Sequence, residues 1–152
     1  MKIALYQPDI AQNMGTTLRT AACLGVDVEI IDPCGFPFDD RKLRRSGMDY
    51  IEYVKYTRHK SWQDFKDFIE QNNFRPVLLS SKAKLSYTEF KFAKKDVLIA
   101  GRETAGVPED VANYCINKVT IPMTKNMRSL NVAVSVGIVL GEALRQTEAF
   151  PA

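Results

Sequence analysis

The sequence predicts an α/β fold built on a parallel sheet, and three observations lead to it. Short apolar runs, each of a length suited to one strand, alternate along the 152 residues with longer amphipathic stretches. Two of these runs, residues 97–100 and 119–122, stop at a glycine or a proline and are followed by polar segments rich in glycine or asparagine. A strand, a helix and a strand also fit within about thirty residues at the N-terminus, which is typical of a βαβ unit.

The first half of the chain is predicted to contain three strands and two helices. Strands are expected at residues 2–6, 26–31 and 50–56, where apolar residues predominate. A helix should begin at Asn13 and end at Gly25. A second should begin after Ser61, which forms a capping box with Asp64. The polar stretch 32–48 is predicted to be a long loop, or a loop with one helical turn, and loops of that length are uncommon unless they have a function.

The second half is predicted to contain three more strands, at residues 77–80, 97–100 and 118–122. Pro108 opens a short helix that ends near residue 114. The final helix, residues 130–146, is apolar nearly all round, and Gly137 and Gly141 in it would let another backbone approach closely. Since a small domain covers only one side of such a helix, we expect the other side to form a homodimer interface.

Composition excludes several classes of protein. A hydrophobic content of 45% with 26% charged residues is typical of a soluble globular domain. No apolar run approaches the roughly 18 residues of a membrane span, and the N-terminus lacks the pattern of a signal peptide. The three cysteines show no CxxC spacing, which predicts a reduced cytoplasmic protein with neither a disulfide framework nor a zinc site.

The general nucleotide-binding motifs do not match. Residues 101–106 carry a glycine at each end but lack the lysine that follows in a Walker A loop, and no GxGxxG occurs. The only histidine, His59, lies in a polar stretch and is expected at the surface. The strand pattern by itself also suits a small flavodoxin-like nucleotide-binding protein.

Polar residues at the predicted strand ends have two interpretations. Asn13, Ser129 and Asn131 suit helix caps as well as ligand contacts, and Glu103 suits a turn as well as an active site. Arg19, in the middle of the first helix, suits either a structural ion pair or a contact to an anion. Basic clusters at residues 41–45 and 58–60 suit either a solvated face or RNA binding.

Three groups of residues resemble the three ordered motifs of the SPOUT superfamily of RNA methyltransferases. They are Asn13-x-Gly15-x3-Arg19, then Gly101-x-Glu103-x2-Gly106-Val107-Pro108, then Ile121-Pro122-Met123 with Arg128-Ser129-Leu130-Asn131-Val132. Residues 33–36, 43–50 and 57–59 (PCGF, LRRSGMDY and TRH) are similar to one branch, the small single-domain tRNA 2′-O-methyltransferases that act on the wobble nucleotide. The resemblance extends from residue 1 to about residue 146.

The resemblance implies a fold that the residues alone do not predict. It implies a parallel sheet with helices on both faces and a C-terminal deep trefoil knot, in one domain spanning residues 1–152. It implies S-adenosyl-L-methionine as cofactor, leaving S-adenosyl-L-homocysteine, and a homodimer formed through the C-terminal helix. No metal is expected, because a sulfonium is already activated for methyl transfer.

The resemblance also assigns expected roles to individual residues. The cofactor-contacting positions are Leu79, Gly101, Ile121, Ser129 and Leu130. Arg19 matches the arginine that acts on the ribose 2′-hydroxyl, and the positions that shape this site are Asn13, Glu103 and Asn131. Because no separate RNA-binding domain is evident, we expect tRNA to bind the basic residues Arg41, Lys42, Arg44, Arg45, Lys125 and Arg128.

The expected function is methylation of the 2′-oxygen of nucleotide 34 in tRNA, a cytidine or a carboxymethylaminomethyluridine, in leucine-type isoacceptors in the cytoplasm. The alternatives are a 2′-O-methyltransferase of another RNA site and a non-catalytic RNA-binding protein of the same fold. The chain departs from its relatives at Arg102, Ala105 and Ala133, where they often carry proline, arginine and serine.

Overall fold

The computed structural model describes residues 1–39, 41 and 49–152. These residues form a six-stranded parallel sheet with the strand order β3-β2-β1-β5-β4-β6. The strands are β1 Lys2–Tyr6, β2 Asp27–Ile31, β3 Tyr56–His59, β4 Arg75–Leu79, β5 Asp96–Ala100 and β6 Asn117–Val119. The helices are α1 Ala11–Leu24, α2 Trp62–Gln71, α3 Glu109–Tyr114 and α4 Val132–Gln146, with a 3-10 helix at Asp49–Glu52.

Helices cover both faces of the sheet, as expected. Ile3 and Leu5 of β1 point into a core that includes residues of α1 and α4, while Ala4 and Tyr6 point into a core that includes residues of α2 and α3. This period of two is the alternation of side chains along a strand. The central strands are buried on both faces, which explains why β1 and β5 are almost continuously apolar.

Helix α1 begins two residues before the predicted start. Its N-cap is Ile10, whose side chain makes no capping hydrogen bond, so Asn13 lies inside the first turn instead of opening the helix. Asn13 is therefore available for contacts outside the helix. The predicted end is confirmed, because Gly25 takes a left-handed φ of 67° and its N–H donates to the carbonyl oxygens of Ala21 and Ala22.

The prediction of a strand at residues 50–56 is wrong. Ile51 lies in a 3-10 helix at Asp49–Glu52 and Val54 lies just after it, and both side chains are buried. Strand β3 follows at Tyr56–His59. His59, expected at the surface, is only 8% exposed, and its Nε2 lies 2.6 Å from Oε2 of Glu29. Glu29 is buried on β2 and needs polar partners there, which the imidazole and the ammonium of Lys2 supply.

The chain leaves the sheet earlier than predicted after β6. The strand ends at Val119, and the next residue pairs with the connection between β4 and β5. The Thr120 N–H donates to the carbonyl oxygen of Leu85 (2.9 Å), and the Tyr87 N–H donates to that of Thr120 (2.9 Å). On the other side, the Ser80 N–H donates to Val119 (3.0 Å). The chain near residue 120 is therefore held between the end of β4 and the loop that follows β4.

Helix α4 is not buried on every face within one subunit. Residues such as Val136, Val139 and Leu140 are buried in the core, whereas Val134 and Ile138 are 49% and 37% exposed. The space around Gly137 and Gly141 is open. One apolar stripe of this helix is therefore uncovered.

The described part of the chain contains no helix that is both long and apolar enough to cross a membrane. Cys23, Cys34 and Cys115 are free thiols, as expected. Burial raises the pKa of Cys34 to about 12 and that of Cys115 to about 11, so both remain protonated at neutral pH.

Replacing Ser61 tests the predicted capping box. The Ser61 hydroxyl accepts a hydrogen bond from the Asp64 N–H at 3.1 Å and so satisfies a donor of the first turn of α2. Ser61→Ala should lower the free energy of unfolding by about 1 kcal/mol, measured by urea denaturation. Ser61→Asp keeps a capping oxygen and should retain most of the stability, and equal losses in both variants would contradict this role of the cap.

Candidate functional site

A cavity of about 860 Å³ opens at the carboxyl edge of the sheet, beyond the ends of β4, β5 and β6. This is where open parallel sheets bind their ligands. All five positions expected to contact a cofactor line the cavity: Leu79, Gly101, Ile121, Ser129 and Leu130. The structure therefore brings together residues from four separate segments of the chain.

The loop after β5 forms one wall of the cavity and requires glycine at two positions. Arg102 and Gly106 exchange backbone hydrogen bonds of 3.0 and 2.9 Å, which closes residues 102–106 into a tight turn. Gly106 has a φ of +60°, and a Cβ on Gly101 would lie 2.9 Å from the Gly106 carbonyl carbon. A proline in place of Arg102 would lack the N–H that donates here.

Asp9 and Glu103 connect the loops that follow β1 and β5. The Asp9 N–H donates to Oε2 of Glu103 and the Glu103 N–H donates to Oδ1 of Asp9, both at 3.1 Å. The Thr104 hydroxyl donates to Oδ2 of Asp9. We call this reciprocal pair the Asp9–Glu103 clasp, and it fixes the Glu103 side chain at the carboxyl edge of the two central strands.

Two asparagines extend the clasp to α1 and α4. Asn13 Nδ2 donates to Oε1 of Glu103 at 3.4 Å, and Asn131 Nδ2 donates to Oδ1 of Asn13 at 3.0 Å. The Asn131 side chain also caps α4 by accepting from the Val134 N–H at 3.2 Å. Asn131 is therefore both a helix cap, as one of the two interpretations of the sequence had it, and a member of the polar chain.

The two carboxyl groups of the clasp titrate in opposite directions. Burial, together with the adjacent Asp9 carboxylate, raises the pKa of Glu103 above its usual value. Hydrogen bonds from the Glu103 carboxyl and the Thr104 hydroxyl lower the pKa of Asp9. The pair therefore favours a proton on Glu103 and a negative charge on Asp9.

The loop after β2 packs closely against Asp9. The Gly35 N–H donates to the carbonyl oxygen of Pro8 at 2.9 Å. A Cβ on Gly35 would lie 2.6 Å from Cβ of Asp9, so only glycine fits this approach. Asp9 was not predicted as a site residue; its place in the loop after β1, at the carboxyl edge of the sheet, was the available signal.

Arg19 lies apart from the polar chain of Asn13, Glu103 and Asn131. Its guanidinium carbon lies 4.6 Å from the centre of the Tyr50 ring, and Nη2 donates to the Tyr50 hydroxyl at 3.5 Å. Arg19 is exposed on α1, so the stack presents its charge to solvent. Tyr50 is a second residue that sequence reasoning did not place at the site.

The predicted RNA-binding residues are only partly described. Arg41 is exposed, and its N–H donates to Oδ1 of Asp39 at 2.8 Å. Lys125 and Arg128 are exposed on the loop before α4, next to the cavity residue Ser129. The remaining three predictions, Lys42, Arg44 and Arg45, lie outside the described residues. Across residues 1–39, 41 and 49–152, no group of three or more histidine, cysteine, aspartate or glutamate side chains is arranged to hold a metal ion.

Solved structures of RNA methyltransferases share this fold. A structure described as giving insight into the 2-OH methylation of C/U34 on tRNA superposes with a TM-score of 0.88 at 39% identity, covering 95% of this chain and 94% of that one. An AdoMet-bound rRNA methyltransferase from Sinorhizobium meliloti gives a TM-score of 0.84 at 27% identity, covering 95% of this chain and 55% of that one. Fold and site thus define a methyltransferase of the RNA-modifying α/β class.

Within that class, the SpoU rRNA Methylase family matches residues 1–141, and the chain belongs to this family. Among curated proteins, the chain is 54% identical to a tRNA (cytidine(34)-2′-O)-methyltransferase of Beijerinckia indica, over 97% of this chain and 92% of that protein. It is 36% identical to the protein of the same name from Escherichia coli K12, over 96% and 93% respectively.

Stability measured against pH tests the clasp. A carboxyl group whose pKa is higher in the folded than in the unfolded state contributes stability at low pH, and this contribution is lost as the pH rises through the folded-state pKa. A carboxyl group whose pKa is lower in the folded state contributes stability above its unfolded-state pKa, and this contribution is lost as the pH falls through the folded-state pKa. The stability deficit of Glu103→Gln relative to wild type should therefore shrink as the pH rises from 4 to 7. The deficit of Asp9→Asn should grow at lower pH, as the pH rises towards about 4, and should then stay constant up to pH 7.

Urea denaturation at each pH gives both differences. The two variants are each other's control, because each replaces a carboxyl with an amide at the same site. Curves that run parallel to wild type for both variants would show that neither carboxyl group changes its pKa on folding.

Proposed function

We propose that this chain is an S-adenosylmethionine-dependent tRNA 2′-O-methyltransferase that acts on nucleotide 34. The observation that carries the proposal is the cavity at the carboxyl edge, with the polar chain of Glu103, Asn13 and Asn131 beginning in its wall. The substrate follows from near full-length relatives that are named for this reaction.

The cavity suits S-adenosylmethionine in size and lining. Its volume of about 860 Å³ lies in the range of small-molecule sites. Apolar walls from Leu79, Ile121 and Leu130 fit an adenine ring, and the close approach of Gly101 to Gly106 leaves backbone groups at the surface of the cavity. Ser129 adds a hydroxyl for a polar part of the ligand. When bound, the cofactor supplies a methyl group on a positively charged sulfur.

Arg19 is proposed to act on the ribose. In this reaction the 2′-oxygen would form a bond to the methyl carbon while the bond from that carbon to the cofactor sulfur breaks, leaving a neutral thioether, and the hydroxyl proton would be released. A guanidinium remains protonated in proteins, so Arg19 is unsuited to accept that proton. Its exposed charge, held by Tyr50, is suited to orient the phosphate next to the target ribose and to lower the pKa of the 2′-hydroxyl. A phosphate oxygen or a water molecule then takes the proton.

Glu103, Asn13 and Asn131 are proposed to shape the site for the target nucleotide. Their hydrogen bonds join the loop after β5 to the first turns of α1 and α4. Asp9 acts through Glu103 as a positioning residue.

The proposed substrate is tRNA with cytidine or carboxymethylaminomethyluridine at position 34, in leucine-type isoacceptors, and the proposed compartment is the cytoplasm. The proposed contacts to phosphates are Arg41, Lys42, Arg44, Arg45, Lys125 and Arg128. Lys125 and Arg128 are exposed in the segment that leads into Ser129 and Asn131, which supports their role.

We also propose that residues 1–152 act as one domain with a C-terminal trefoil knot. The support is the passage of residues 119–120 between Ser80 at the end of β4 and residues 85–87 of the following loop, with hydrogen bonds on both sides. A later segment held against both ends of an earlier loop is compatible with the threading that a knot requires.

A homodimer formed through α4 completes the proposal. The uncovered stripe contains Val134 and Ile138, with Gly137 and Gly141 facing open space beside it. Small residues let two helix backbones approach closely, and exposed aliphatic side chains on such a helix are stabilised by burial. The stripe begins at Val134, one turn after the N-cap Asn131, so a dimer formed here would lie next to the site.

Methyl transfer to unmodified tRNA, followed by nuclease digestion and mass spectrometry, tests the reaction. The expected product is a 2′-O-methylated cytidine or uridine at position 34. Methylation of a different RNA position would redirect the proposal to another substrate of the same chemistry. Cofactor binding without any methylated ribose would indicate a non-catalytic RNA-binding protein.

Arg19→Ala should reduce kcat/KM for methyl transfer by two or more orders of magnitude, because it removes the group that acts on the ribose, and should leave cofactor affinity unchanged. Arg19→Lys keeps the charge without the planar fork and should lose activity as well. Lys55→Ala removes one positive charge just before β3, at the opposite edge of the sheet, and should behave as wild type. Wild-type rates in Arg19→Ala would refute the assignment.

Val134→Glu and Ile138→Glu should convert the dimer into monomers, because each places a charge in a buried apolar interface. Analytical ultracentrifugation over a concentration series measures the effect. Ile116→Glu is the matched control, since Ile116 is an aliphatic residue 88% exposed at a position outside α4. A dimer that survives both α4 substitutions would place the interface elsewhere.

A further inference from the structure

A second groove lies beside the cavity, outside the residues assigned above. It has a volume of about 400 Å³ and is formed by the start of the loop between β4 and β5 together with the segment that enters β6. Its lining residues are Lys82, Ala83, Lys84, Leu85, Phe90, Ile116, Asn117 and Lys118. We call this the lysine groove.

The lysine groove is positively charged. Three of its eight lining residues are lysines, and none of the eight is acidic. Lys82 and Lys84 are exposed and Lys118 is half-buried. The whole loop of residues 80–95 contains five lysines and one glutamate, so the charge extends beyond the groove. Such a surface attracts a polyanion.

The groove also has an apolar side. Ile116 is 88% exposed and Leu85 is 41% exposed, although both are aliphatic. Proteins that bind single-stranded nucleic acid combine two kinds of surface. Cationic side chains contact the phosphates, and adjacent apolar side chains contact the ribose or the base. An acidic peptide would use the lysines but would leave these aliphatic residues without a partner.

The groove is continuous with the cavity. Lys82 and Lys118 line both, so a chain that enters the site beside the cavity can extend past these lysines into the groove. The hydrogen bonds of Thr120 to the loop of residues 85–87 hold the two segments of the groove together. The groove is thus a formed surface at a fixed place relative to the site.

We propose that the lysine groove binds the phosphodiester backbone of the RNA substrate, outside the nucleotide that is methylated. The proposal rests on the proposed function for its substrate. It adds a contact surface that does not involve the basic residues of the loop before α4 or of residues 41–45. In the complex, Lys84 contacts a phosphate, and Ile116 and Leu85 pack against the adjoining sugar or base.

Lys84→Glu provides the test, because Lys84 lines the lysine groove and not the cavity. Unmodified tRNA is titrated onto the full chain at several salt concentrations, and cofactor affinity is measured by calorimetry on the same protein. Lys55→Glu is the matched control, since it makes the same charge change at an exposed position just before β3, at the amino edge of the sheet.

Lys84→Glu should weaken tRNA binding about three- to tenfold relative to Lys55→Glu. Lys84→Ala should lower the slope of log K against log salt by about 0.7 to 0.9, as expected for one lost phosphate contact. Ile116→Ala should weaken binding at every salt concentration without changing the slope. Cofactor affinity should be unchanged in all of these variants.

Equal tRNA affinities of Lys84→Glu and Lys55→Glu would overturn the proposal, and binding of an acidic protein would then be the use left for the groove. A loss of cofactor affinity with unchanged tRNA affinity would assign the lysines to the cofactor instead. Methylation of nucleotide 34 is measured separately with the unsubstituted protein. If that activity is present, a negative result with the variants counts against the lysine groove and not against the proposed function.

Discussion

The Asp9–Glu103 clasp is the interaction on which the arrangement of the site depends. β1 and β5 are neighbours at the centre of the sheet, and the clasp joins the loops that follow them through two backbone N–H groups and two carboxyl groups. The loop after β2 is fitted against the same aspartate through Gly35. Because three loops meet at Asp9, a shift of one would displace Glu103 and the asparagine that it holds. A hydrogen-bonded carboxyl pair in a partly buried site is well suited to this task, since low polarity strengthens each bond.

The same region shows how the fold leaves surfaces available for binding. The central strands are covered on both faces by helices, which form one core on each side of the sheet. The polar groups and the cavity are confined to the carboxyl edge, where the strands end and the loops diverge. The exposed apolar stripe of α4 begins at Val134, one turn after Asn131, and the lysine groove shares two residues with the cavity. The apolar stripe of α4 and the lysine groove therefore both adjoin the site, and both lie on elements that pack against the same core.

Patterns that depend on neighbours in sequence were predicted correctly. The N-cap at Ser61, the helix end at Gly25 and the strands β1, β2, β4 and β5 follow from local periodicity and from turn chemistry, which act within a few residues. The prediction of a strand at residues 50–56 was wrong because Ile51 and Val54 reach the core from a 3-10 turn and the residues after it. Packing against the core, and not the local sequence, determines that conformation. His59 was misplaced for the same reason, since its partner Glu29 lies thirty residues away.

The sequence by itself determined the class of sheet, the positions of most elements and the motifs from which Asn13, Glu103 and Asn131 were selected as site residues. Only the tertiary structure decided that these three residues form one hydrogen-bonded chain, that Arg19 stands apart on Tyr50, and that Asp9 belongs to the site. It also decided which side of α4 stays uncovered. The physical reason is that each of these contacts joins segments distant in sequence. Their geometry is set by strand order and helix packing, to which no local pattern of residues is sensitive.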